Sequence, residues 1–261
     1  MAAVRTPAAV TFAVWRALFL REALFRLSGN RTAWLWLLGE PVFHIAFIML
    51  FFELVRMQTV PGAEPALFIM TGLIGFFMAR NTALRSMEAI NANAALFAYR
   101  QVKPVDTVLV RAALEGFLML VIALVMLTGA ALLGFDVLLN DPLEVLAAFA
   151  GLWLCGLGLG LVLSVMNQLL PEISNIVKLL FTPLYFVSGV MFPVLIVPQP
   201  YRDWLFYNPL VHGIEALRGG FFPHYYVVPE TSLSSLYGFA LFTIFFGLAL
   251  HVRYARKIMS L

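Results

Sequence analysis

Glu40 and His44 stand one helical turn apart around Pro41 in the otherwise apolar stretch WLWLLGEPVFHIAF, so both side chains can share one helix face. Ionisable groups inside a membrane are costly and face a cavity or a partner. Three readings stay open for the pair: a pathway or gate, a structural pairing, or a metal site completed by His212 and Glu215. Glu215 and Arg218 lie three residues apart in HGIEALRGG, a spacing at which opposite charges neutralise one another on a helix, and an ion pair is the simpler reading. Arg111 and Glu115 are expected to pair in the same way, with Arg111 snorkelling to the membrane surface. Other recognisable chemistry is scarce. No Gly-Lys-Ser/Thr phosphate loop, His-Glu-x-x-His, Gly-x-Ser-x-Gly or Cys-x-x-Cys occurs, so no nucleotide hydrolysis by that route and no familiar hydrolase or metal site is expected.

The elements that must position these residues are set by composition. Of 261 residues, 62% are hydrophobic and 12% charged, with mean hydropathy +0.92, whereas soluble domains carry roughly a quarter charged residues. The chain is an integral membrane protein, and no polar stretch is long enough to fold a soluble domain. One transmembrane domain over 1–261 is expected, with 1–32 as an interfacial region and 33–261 as the core. The net charge of +3 bears on topology and implies no nucleic-acid partner. Cys155 is the single cysteine, so no intramolecular disulfide forms, and its surroundings in GLWLCGLGLG suggest a small packing residue. Charges interrupt the early apolar run and no small-x-small cleavage site follows it, so the N-terminus is expected to stay attached.

Residues 8–28 have helical character, yet Arg16, Arg21, Glu22 and Arg26 at bilayer depth would cost on the order of 10 kcal/mol together. An interfacial helix with Glu22 and Arg26 paired is expected instead. Six spans of about 20 residues each, the length that crosses about 30 Å of hydrocarbon, follow near 33–55, 66–84, 107–134, 144–169, 174–197 and 233–251. Placing both termini in the cytoplasm leaves only Arg56, Arg202 and Arg218 outside, and fourteen of the seventeen Lys and Arg inside, as the positive-inside rule requires. Between spans two and three, Met87, Ile90, Ala94 and Phe97 recur at helical spacing until Pro104, which gives a short helix that either rests on lipid or docks a soluble partner. Gly156, Gly158 and Gly160 in span four include a Gly-x-x-x-Gly pair that permits close helix approach.

Residues 171–230 are too broken by proline and charge to be two ordinary spans, and too apolar for a soluble loop. A re-entrant hairpin fits, because irregular backbone at membrane depth survives only where protein or a water-filled cavity covers its polar groups, and such segments mark translocation paths. Aromatics cluster there: Tyr185, Phe192, Trp204, Phe206, Tyr207, Tyr225 and Tyr226, opposite Trp34 and Trp36 at the other interface. Interfacial belts account for most such residues, while rings with a polar edge also suit sugar faces.

The order of these features resembles the permease subunits of type-2 ABC exporters, in the capsular-polysaccharide branch and its O-antigen relatives. The resemblance covers nearly the whole chain. It is carried by Arg21-Glu22 through Arg26, Arg31, Trp36 and Glu40-Pro41, and by Ser188-Gly189-Val190-Met191-Phe192-Pro193 followed by Asn208-Pro209, His212, Glu215 and Arg218. Gly39 departs from the larger apolar residue expected before Glu40. The resemblance implies a permease with no catalytic residues or cofactor of its own, two copies of which form a channel above two ATPase subunits that bind ATP and Mg. It also implies a lipid-linked polysaccharide as cargo, a periplasmic copolymerase-type partner, and location in the bacterial inner membrane. Met87, Ile90 and Phe97 would then couple to the ATPase, and Glu40, His44, Tyr185, Phe192, Trp204, Tyr207, Glu215 and Arg218 would line the pathway or gate. Two other readings are an ion-coupled transporter relaying protons through Glu40, His44 and Glu53, and a membrane enzyme acting on lipid-linked sugars through Glu40, His44, His212 and Glu215 with a metal. The lack of a second broken-helix pair in the first half argues against the former.

Overall fold

Proline punctuates the sequence, and several helices begin at one. In the computed structural model, which describes residues 7–28, 33–55, 60–99 and 101–259, ten α-helices follow in order: α1 Pro7–Ser28, α2 Ala33–Val55, α3 Pro65–Met87, α4 Ala89–Ala92, α5 Pro104–Leu132, α6 Pro142–Leu169, α7 Ile173–Val187, α8 Tyr201–Leu205, α9 Pro209–Phe221 and α10 Leu233–Met259. Two 3₁₀ turns, Ala94–Ala98 and Val194–Ile196, complete them, and no strand occurs among the described residues. Pro65, Pro104, Pro142 and Pro209 each occupy a first helical position, where the missing N–H costs nothing. Side-chain caps reinforce two of these starts. Asp141 accepts from the Leu143 and Glu144 N–H groups at 3.0 and 3.1 Å, and Asn208 accepts from Leu210 N–H at 3.1 Å.

Among the described residues four helices are long and apolar enough to cross a membrane: α3, α5, α6 and α10. The protein is therefore an all-helical integral membrane protein. The fifth expected span differs from its reading. α7 stops at Val187 rather than continuing to 197, and its 15 residues reach about 22 Å, short of a full crossing. Ser188 ends it by turning its hydroxyl back to the Leu184 carbonyl at 2.6 Å.

α6 is the centre of the bundle, packed on α3, α9 and α10. Its glycines explain how it lies so close to two neighbours. A side chain at Gly156 would meet the Ala79 carbonyl of α3 at 2.6 Å, one at Gly160 would strike Ser86 of α3, and one at Gly158 would strike Thr243 of α10. Cys155 between them is fully buried, a packing residue as its neighbours suggested.

α1 lies against the first turns of α5, and Arg21, Glu22 and Arg26 are satisfied by protein. Glu22 and Arg26 form the expected i,i+4 pair at 3.6 Å. Arg111 and Glu115, expected to hold each other, turn to α1 instead: Arg111 Nε donates to Glu22 at 2.8 Å and Arg26 donates to Glu115. Charges of opposite sign on one face of α5 thus meet opposite charges on α1, and four groups are neutralised in one layer. Asp106 accepts from the Trp15 indole N–H at 2.8 Å and Asn93 from Arg21 at 3.1 Å, which ties both ends of the contact.

The helix expected near 86–99 is broken. α3 runs on to Met87, a single turn of α4 follows, and Asn93 bonds its side-chain amide to the Ala89 carbonyl at 2.9 Å, diverting the chain into a 3₁₀ turn.

Candidate functional site

The broken stretch after α7 is held in place by two polar knots. In the first, Asn208 caps α9 through its oxygen and donates its amide to Ser188 Oγ at 2.9 Å, so one residue starts α9 and fastens it to the end of α7. The motif Ser188 to Pro193 and the pair Asn208-Pro209, far apart in sequence, meet through this bond.

The second knot is Arg218, fully buried at 0% exposure. Its Nη1 donates to the Gly189 carbonyl at 2.8 Å and to Glu215 Oε1 at 3.1 Å; its Nη2 donates to the Val190 carbonyl at 2.7 Å and the Phe68 carbonyl at 3.4 Å. The guanidinium carbon lies 3.5 Å from the centre of the Phe68 ring, a cation–π contact. Tyr225 closes the other side of Glu215, its hydroxyl 3.0 Å from both carboxylate oxygens. Gly72 makes room for all of this, since a side chain there would meet Arg218 Nη2 at 2.5 Å and the Val190 carbonyl at 2.7 Å. One cation therefore bridges three chain segments, α3, the turn after α7, and α9, and it binds the Gly189 and Val190 carbonyls that irregular backbone leaves without helical partners.

Glu215 and Arg218 are thus brought together as the spacing indicated, with both side chains fully enclosed. His212 does other work. Its Nε2 contacts the Phe206 carbonyl at 3.0 Å and its Nδ1 accepts the Ser232 N–H at 3.1 Å, so both ring nitrogens are occupied in holding loops. His44 sits exposed on α2, its ring 5.5 Å from Phe77. The side chains of Trp34, Trp36, Glu40 and Glu53 lie outside the described residues. Among the described residues no group of three His, Cys, Asp or Glu is arranged to hold a metal ion.

The aromatics divide. Tyr185 is half-buried, edge-on to Phe76 and to Phe186 at 5.2 Å, and Phe192, after the turn, is half-buried too. Trp204 and Tyr207 stand out from α8 and the turn after it, 65% and 86% exposed, with Tyr201 edge-on to Trp204 at 5.6 Å. At the opposite end of α3, Met87 and Ile90 are 0% and 1% exposed within the chain. Only Phe97 of that trio keeps surface, beside exposed Asn91, Ala94, Ala95 and Tyr99. Tyr225, Gly72 and Phe68 were missed from sequence as partners of Arg218. A loop residue, a glycine and a ring on another helix carry no spacing signal toward it.

A helical membrane core with a broken segment clamped onto α3 defines an all-helical integral membrane protein. The chain matches the ABC-2 type transporter family over residues 13–222 and belongs to that family. It is 35% identical over 235 residues to the polysialic acid transport protein KpsM of Escherichia coli, covering 90% of this chain and 91% of that protein. Similarity extends to two capsule polysaccharide export inner-membrane proteins. CtrC of Neisseria meningitidis serogroup A is 30% identical over 209 residues, 79% of this chain and 78% of CtrC, and BexB of Haemophilus influenzae is 27% identical over 209 residues, 80% and 79%.

Proposed function

We propose that this chain is the membrane subunit of an ATP-driven exporter that carries a capsular or related lipid-linked polysaccharide across the bacterial inner membrane. The observation that carries the reading is the 35% identity to a polysialic acid transport protein along nine-tenths of both chains. Two copies form the conduit, two ATPase subunits sit beneath them, and a periplasmic copolymerase-type protein receives the glycan. α2 and α7 serve as the first and fifth spans, the segment from Ser188 to Phe221 re-enters the membrane, and both termini face the cytoplasm with the basic clusters. Exposed apolar faces on α2 (Phe43, Phe47, Phe51) and α7 (Ile176, Leu180, Val187) support a second copy there.

Motion follows the solid parts. ATP binding pushes on the segment 89–98, where Phe97 and its exposed neighbours take the docking role, and on α1, bonded to it through Arg21 and Asn93. α3 continues directly from that segment and carries Phe68 and Gly72, against which Arg218 holds the re-entrant turn. A displacement at one end of α3 therefore reaches the other through packed, hydrogen-bonded groups. His44, Tyr185, Phe192, Trp204 and Tyr207 flank the conduit together with Glu40, and the exposed rings at Trp204 and Tyr207 offer stacking faces to sugars. Glu215 and Arg218 set the gate from within rather than touching cargo.

Expression of this chain with its ATPase in a strain lacking its own capsule permease tests the reading. Surface polysaccharide detected on intact cells is the expected result. Polymer retained inside cells, with both proteins present and assembled, would refute it.

A further inference from the structure

We propose that the slot between α1, α5 and α6 is a binding site for one anionic phospholipid, with an acyl chain in the slot and the headgroup phosphate on Arg16. The slot has a volume of about 440 Å³ and is walled by Phe12, Trp15, Phe19, Leu109, Trp153 and Leu157, with Arg16 as its single charged residue. Such a volume falls in the roughly 300–1,000 Å³ range of small-molecule sites. Its two indoles present only apolar faces, because Trp15 N–H is given to Asp106 at 2.8 Å and Trp153 N–H to the Ala112 carbonyl at 2.9 Å. Water has nothing to bind there, since a buried water needs about 2–4 polar partners. The occupant is therefore a hydrocarbon chain.

Charge identifies its headgroup. Arg21 and Arg26 on α1 are committed to Asn93, Glu22 and Glu115, whereas Arg16 is exposed at the slot and makes no hydrogen bond or ion pair among the described residues. Phe12, Trp15, Arg16, Phe19 and Leu20 share one face of α1 by their spacing; Arg16 lines the slot with its aliphatic stem, which leaves its cation at the rim, where a headgroup would sit. Leu109 and Ala113 on α5 lie about 8 to 14 Å along the helix from Pro104, a depth at which chain gives way to headgroup if α1 lies in the interface. A long apolar chain ending in a negative phosphate satisfies both halves, and the bilayer itself supplies it.

The full-length protein in nanodiscs of phosphatidylethanolamine, titrated with phosphatidylglycerol carrying brominated acyl chains, tests this by tryptophan quenching, with native mass spectrometry counting retained lipid. Wild type should retain one phosphatidylglycerol per chain in preference to phosphatidylethanolamine. Arg16→Gln should weaken that preference by about fivefold, the scale of one basic residue at a membrane surface, Arg16→Lys should keep most of it, and Ala113→Trp should fill the slot and abolish it. Equal retention by wild type and Arg16→Gln overturns the proposal, as does a glycolipid or polypeptide retained in place of phosphatidylglycerol. Should Ala113→Trp not fold, the Gln and Lys variants decide alone. The readout is lipid retention, so it is independent of whether the protein exports anything.

Discussion

Arg218→Met removes the cation that joins three segments and keeps a side chain of similar reach. Bonds to the Gly189 and Val190 carbonyls at 2.8 and 2.7 Å are lost, and Glu215 remains buried with Tyr225 as its one partner. Leaving one member of a buried ion pair uncompensated costs about 3–5 kcal/mol, and each freed carbonyl belongs to backbone without helical partners. Glu215→Gln in the same chain removes the stranded charge but restores neither carbonyl. The double variant should therefore lie between wild type and Arg218→Met, with a coupling of at least about 1 kcal/mol between the two positions. Unfolding curves of all four proteins in mixed micelles, followed by far-ultraviolet circular dichroism as the fraction of denaturing detergent rises, give these differences directly. A single variant within about 0.5 kcal/mol of wild type, the range of unremarkable surface changes, would refute the clamp; so would a double variant whose loss equals the sum of the two singles.

Phe97→Asp should lower co-purification of the ATPase subunit several-fold while the permease still inserts, and unchanged co-purification would move the docking site elsewhere. Trp204→Ala and Tyr207→Ala touch exposed rings, so thermal stability should shift by less than about 0.5 kcal/mol while glycan export falls; equal losses of export and of protein would make the rings structural. Glu22→Gln breaks the bond to Arg111 at 2.8 Å and the pair with Arg26, which should loosen α1 and expose Arg21 and Arg26 to trypsin about tenfold faster, as for loss of one charge-assisted hydrogen bond.

Local rules of the chain were legible where they act alone. The reach of the glycines in α6 and the three-residue spacing of Glu215 and Arg218 are each written within a few residues, and each was found in place. Readings failed where a distant partner outbid a near one. Arg111 and Glu115 have ideal spacing for each other, yet α1 offers both a complementary charge at the same depth. Met87 and Ile90 have the periodicity of a docking face, yet within the chain both are buried in its own core. Hydropathy alone extended span five through 197, because the apolar residues continue past Ser188 although the helix does not. Tyr225 read as one belt aromatic among several, since nothing in its own neighbourhood announces a bond to Glu215.

The ion pairs between α1 and α5 join residues 89 apart in the chain. During synthesis at about 5–20 residues per second, Glu22 and Arg26 leave the ribosome roughly 4 to 18 s before Arg111 and Glu115. For that interval α1 has no counter-charges from α5 and can only wait at the water's edge. Its final seat is created by a later part of the same polypeptide, so a helix made early is among the last pieces to be finished.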